Sequence, residues 1–173
     1  VLLLIIANSP WFNWGEEYIS VFGVAGRTTW LFNNCLIITG ILSLIFAAGL
    51  GKSLAPSKLS KMSMTSLILS SLTLSAMGIL PRTTYLPHNL ASMASFTFTA
   101  LSLFLVGIVA ITTSQRVWGA LSLTAGILTI VFQIVPWPWS GGAISQLLSY
   151  LPWSLWMIGS GLKLLVGVEP INA

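Results

Sequence analysis

Charge is missing from nearly the whole length of this chain, and that constrains its fold more than any motif. Cut at its charged and Pro/Gly-rich points, the sequence leaves five apolar segments, near 30–50, 62–80, 89–113, 117–135 and 143–168. A helix needs about 20 mostly apolar residues to cross the hydrocarbon core of a bilayer, so each segment is a candidate span. Composition closes the other routes. Only 6% of the residues are charged and 55% are apolar, with a mean hydropathy of +0.94. An ordinary soluble domain carries roughly a quarter charged residues, and a disordered chain has low hydrophobicity and high charge. The expectation is an all-α integral membrane helical bundle, one domain over residues 1–173.

The count of spans is six if the N-terminal stretch is included. Residues 1–7 are purely apolar and then meet Asn8, Ser9 and Pro10. Seven helical residues rise about 10 Å, short of a bilayer, so the first helix is expected to be truncated or incomplete in this chain. A secretory signal peptide would need a cationic start and a small-residue cleavage site, and neither is visible. At the other end, segment 143–168 contains Pro152, a residue comfortable in the first turn of a helix and disruptive in its middle. Two arrangements fit: a short interfacial helix over 143–150 with Pro152 opening the last span, or one long kinked helix. The first is the favoured expectation.

Loop charges set an orientation. With six spans, Lys52, Lys58, Lys61, Arg116 and Lys163 fall on one side with Glu169, while Arg27 and Arg82 fall on the other beside Glu16 and Glu17. The positive-inside rule makes the lysine-rich side cytoplasmic, with both termini inside and the protein multi-pass in the cell membrane. Lys163 would snorkel from its apolar run to the inner interface. Indole rings favour the interface: Trp11, Trp14, Trp30, Trp137, Trp139 and Trp153 read as outer, Trp118 as inner. The net charge of +4 then needs no nucleic acid to explain it, since phosphate tracking needs clustered cations. The loop over 52–61 could touch anionic lipid headgroups.

Small and hydroxylated residues mark where membrane helices meet. The third span carries Ser63, Thr65, Ser66, Ser70, Ser71, Thr73 and Ser75, and the fourth repeats Ala91, Ser95 and Thr99. Ser122/Gly126 and Gly159-Ser160-Gly161 continue the pattern in the fifth and sixth. These read as packing surfaces. The competing reading is a polar transport pathway between the third and fourth spans, although neither has the central charged residue that ion relays use.

Chemistry-bearing residues gather on the outer side. His88 is the one histidine, able in principle to ligate metal or carry a proton. Glu16 and Glu17 lie near Ser20, and Arg82 is expected to pair with one of the two carboxylates, since partial desolvation strengthens a pair. A carboxylate beside His88 would make a metal site or an acid/base pair. Cys35 is alone, so no internal disulfide or multi-cysteine metal site forms. No phosphate-binding loop or nucleophile motif is present, and no cofactor is expected.

The outer-loop residues also carry a resemblance. Ile19, Ser20 and Gly23 form an I-S-x-x-G turn, and Phe32, Asn33, Leu36 and Gly40 form an F-N-x-x-L-x-x-x-G helix opening. With Gly78-Ile79-Leu80-Pro81 and Pro87-His88-Asn89, these residues resemble the domain-of-unknown-function 998 family of prokaryotic membrane proteins. The motifs cover roughly residues 11–98, and beyond them the likeness rests on span count. This chain has Val21 where the family has an Asp, so no carboxylate role is carried to that position. The resemblance implies a six-helix membrane protein and no particular reaction. The resulting candidate cluster is Glu16, Glu17, Ser20, Asn33, Arg82 and His88. The leading expectation is a non-catalytic protein that binds membrane lipids or serves as a subunit beside a membrane-protein partner or a second copy. The alternatives are an enzyme or metal-binding protein using the outer cluster, and a small-molecule transporter.

Overall fold

The structure, a computed structural model, describes residues 1–166; Glu169 and the end of segment 143–168 lie outside the described residues. Among the described residues every regular element is helical. α1 (Leu2–Ala7) is followed by α2 (Thr29–Ser53), α3 (Lys58–Ile79), α4 (Leu86–Thr112), α5 (Arg116–Ile134) and α6 (Ala143–Val166), with 3-10 turns at Ile19–Gly23 and Arg82–Thr84. Four helices, α2 to α5, are long and apolar enough to cross a membrane.

Helix boundaries follow local chemistry. Ser57 caps α3, its hydroxyl accepting from Ser60 N at 3.0 Å, as a Ser N-cap does. Pro87 sits in the first turn of α4, where its missing N–H costs nothing. The α4–α5 link is only three residues long, with Ser114 at φ 66 and Gln115 N reaching Ala110 O at 2.8 Å. A link that short folds the next helix back antiparallel on its neighbour. The links near the lysines are short; those at the opposite end, which carries most of the tryptophans and His88, are long.

Sequential neighbours pack in order from α2 to α6, and α6 returns to touch α2 only lightly. The bundle is close to a ring with one loose joint, α2 against α6. At the tight joints the backbones approach through small residues: a Cβ at Gly78 of α3 would lie 2.5 Å from Asn33 O of α2, and one at Gly119 of α5 would lie 2.7 Å from Gly107 O of α4. Large apolar side chains point outward instead. Ile38, Leu42 and Ile45 of α2 and Leu155, Ile158, Leu162 and Leu165 of α6 are exposed, while Ser63, Ser70, Ser95, Ser122 and Ser149 are buried. This inside-out distribution suits a bundle whose solvent is lipid.

The hydroxyls of α3 and α4 act as packing groups. Ser70 Oγ lies 2.6 Å from Thr99 Oγ1 and donates to Ser95 O at 3.2 Å, joining the two helices. Ser63 and Ser71 donate to the backbone of their own helix, the local satisfaction open to Ser in an apolar medium.

Two expectations are corrected here. Residues 143–150 are not a separate helix: α6 runs unbroken with Pro152 inside it. Both sides of the proline are held to α5, with Thr129 Oγ1 donating to Ser149 O at 3.4 Å and Trp156 Nε1 donating to Ser122 Oγ at 2.7 Å. Neighbouring helices and hydroxyls that satisfy backbone near a proline are what let membrane helices keep one in their interior. Trp153, expected at the interface, is instead 6% exposed inside the bundle, almost three turns into α6.

Candidate functional site

The long loop over residues 8–28 folds back onto the end of the bundle rather than standing free. Phe12, Trp14 and Phe22 stack edge-on or tilted, with Phe12 and Phe22 centroids 4.3 Å apart and Phe22 reaching Phe32 of α2 at 6.0 Å. Phe22 is completely buried with Ile5, Ile19 and Ala143 in this cap. The backbone of the loop then pairs with the turn before α6: Gly141 N donates to Gly15 O and Ala143 N to Glu17 O, both at 2.9 Å. Gly142 lies against the ring of Tyr18, leaving no room for a side chain. Gln146 completes the joint, its Oε1 accepting from Ile19 N at 2.9 Å.

The six candidate residues share this end of the molecule but do not form one reactive centre. Asn33 Nδ2 donates to Gly23 O at 3.0 Å and ties α2 to the 3-10 turn. A Cβ at Gly23 would come within 2.6 Å of Asn33 Oδ1, so the glycine of the I-S-x-x-G turn and the asparagine of the helix opening are two halves of one contact. His88, 4% exposed, has Nδ1 2.7 Å from Leu80 O, which pins the start of α4 to the end of α3. Arg82 does not pair with Glu16 or Glu17. Its guanidinium carbon lies 4.8 Å from the centroid of the Tyr18 ring, because the loop presents an aromatic face there while Glu16 points to solvent. Glu17 contributes through its backbone carbonyl. No group of three or more His, Cys, Asp or Glu side chains that could hold a metal gathers among the described residues.

Ser20 is the exception, since it faces a cavity. A space of about 220 Å³ opens at the loose α2/α6 joint, roofed by α1 and the 3-10 turn at Ile19–Gly23 and floored by Leu74 and Met77 of α3. Its walls are two helical stripes. Phe32, Cys35, Leu36 and Thr39 supply the α2 side; Gln146, Leu147, Tyr150, Trp153 and Ser154 supply the α6 side. Both follow the i, i+3/i+4, i+7 spacing of one helix face. The wall is overwhelmingly apolar, and no Asp, Glu, Lys, Arg or His lines it. Sequence reasoning missed the α6 stripe because α6 was divided at Pro152. Read as one helix, the run from Gln146 to Ser154 shows the periodic face.

Ile19 and Ser20 of the I-S-x-x-G turn and Phe32 and Leu36 of the F-N-x-x-L-x-x-x-G opening line the cavity. A family model described as "Protein of unknown function (DUF998)" matches residues 1–163. The chain belongs to the DUF998 family. The match runs through α5 and nearly all of α6, well past the residues whose motifs suggested it. No curated protein and no solved structure matches this DUF998 member.

Proposed function

We propose that this DUF998 protein is a non-catalytic, multi-pass membrane protein whose cavity at the α2/α6 joint holds the acyl chain of a lipid. In this reading α6 joins α2 to α5 as a span, the lysine-rich end and both termini are cytoplasmic, and the cavity lies in the outer leaflet. The carrying observation is a space of about 220 Å³ walled by apolar side chains, at the capped end of a bundle whose outward surface is apolar. Each buried methylene contributes about 0.8 kcal/mol. A subunit role beside another protein or a second copy is compatible with the exposed apolar faces, but no surface feature selects it.

The enzyme and metal-site alternative draws on the outer cluster, and the transporter alternative on the α3/α4 hydroxyls. Asn33, Arg82 and His88 each have a structural contact instead, and Ser63, Ser70 and Ser71 are hydrogen-bonded between or within helices. Native mass spectrometry of protein extracted gently from its own membranes tests the choice. The expected result is a bound lipid at one per chain, lost when Thr39→Trp fills the cavity. A bare monomer would overturn the lipid reading, and a bound protein chain without lipid would replace it with the subunit reading.

A further inference from the structure

The polar atoms of the cavity restrict the class of lipid. Ser20 is 8% exposed and lines the cavity beside Ile19. Gln146, a second lining residue, accepts from Ile19 N through Oε1, and its amide N–H groups remain as donors. Deeper along the same α6 face, the Tyr150 hydroxyl and Trp153 Nε1 are buried with no partner among the described residues. Ser20 and Gln146 can donate at the cavity, whereas the Tyr150 hydroxyl and Trp153 Nε1 have almost no accessible surface, and no Asp, Glu, Lys, Arg or His lines the wall to balance a charge. Burying an unpaired charge in such surroundings is strongly unfavourable, whereas an uncharged oxygen that accepts hydrogen bonds is not.

The cavity also extends along the bundle. Ser20 and Gln146 sit at the capped end beside Phe32, while Leu74 and Thr39 lie deeper. From Phe32 to Thr39 the helix rises about 10 Å, so the cavity is long enough for part of a chain to lie beneath a small head.

We propose that the ligand is an uncharged single-chain lipid with ester or hydroxyl oxygens at its head, a monoacylglycerol-like molecule, seated with its head at Ser20 and Gln146 and its chain toward Leu74. This deepens the lipid reading above and rests on it. Cys35, the one cysteine, lines the cavity and reports occupancy through its alkylation rate.

The test uses the full chain in detergent, with N-ethylmaleimide and three lipids of equal chain length: a monoacylglycerol, the fatty acid held at alkaline pH as its anion, and a lysophosphatidylcholine. Monoacylglycerol is expected to slow Cys35 alkylation at concentrations at least about tenfold below those the two charged-head lipids need. Ser20→Ala should weaken monoacylglycerol protection by about threefold to tenfold and leave unchanged the protection by a fourth probe, an alkane of the same chain length. If the charged lipids protect equally well, the head-group assignment falls while the acyl-chain reading stands. If no lipid protects, both fall. An unchanged Ser20→Ala overturns the placement of the head. Should Cys35 resist alkylation in the empty protein, competition between the same three lipids followed by native mass spectrometry reads the same preference, with the same outcomes deciding.

Discussion

His88 shows how differently a residue reads before and after its neighbours are known. A lone histidine at a helix start invites a catalytic or metal-binding reading, yet its Nδ1 is held 2.7 Å from Leu80 O in a buried position. His88→Ala should therefore destabilise the fold by about 1–3 kcal/mol, the penalty for leaving a buried carbonyl unpartnered, visible as a lower midpoint in denaturant unfolding. An unchanged midpoint would show that the contact carries no weight. Glycines separate by position in the same way. Gly78→Ala drives a Cβ to 2.5 Å from Asn33 O, whereas a Cβ at Gly49 meets nothing within 4 Å. The first should cost about 1–3 kcal/mol by overpacking. The second should gain about 0.5–1 kcal/mol, because alanine is the better helix former. Equal effects at the two sites, measured in one detergent, would contradict the close α2/α3 approach.

At the scale of elements, α6 is decided by its partner helix. Pro152 splits its sequence into a plausible short helix and a plausible span, but Thr129 and Ser122 of α5 hold the chain on both sides of the proline. The Trp156–Ser122 bond can be measured as a coupling. Ser122→Ala leaves Trp156 Nε1 buried without an acceptor and should cost about 1–3 kcal/mol, and Trp156→Phe somewhat less. The double variant should be less damaging than the sum of the two by about 1 kcal/mol. Strict additivity would mean the two side chains are not joined. The docked loop over residues 8–28 is a second case. Its aromatic residues suggest an interfacial belt, but Phe22 and Ile19 are interior residues of the cap, and Gly141 and Gly142 are small because that loop lies on them.

Across the whole molecule, the two ends differ in chemistry and in the length of their links. Lys163 Nζ donates to Gln115 Oε1 and lies 5.2 Å from the centroid of the Trp118 ring, so the end of α6 and the start of α5 meet at the lysine-rich end. The proposed orientation puts that end in the cytoplasm. In a Cys35→Ala background, Thr84→Cys should react with a membrane-impermeant maleimide in intact cells, and Lys58→Cys only after permeabilisation. The opposite pattern would invert the topology.

The apolar segment lengths and the scarcity of charge fix, without any structure, that the chain is helical and where each long helix lies, because a bilayer-length run of uncharged residues has few other stable forms. Segments 30–50, 62–80, 89–113 and 117–135 fall within three residues or so of α2 to α5 except at the start of α3, where Ser57 caps the helix four residues early. The motif residues Ile19, Ser20, Gly23, Phe32 and Asn33 were legible as a group, but not their purpose. Hydrogen bonds such as Asn33 Nδ2 to Gly23 O and Ile19 N to Gln146 Oε1 join residues of separate elements, and local patterning carries no information about such partners. The cavity belongs wholly to the tertiary structure. It exists because α6 meets α2 only lightly while each sequential pair from α2 to α6 packs closely, and how a ring of helices closes depends on side-chain volumes summed around the whole bundle.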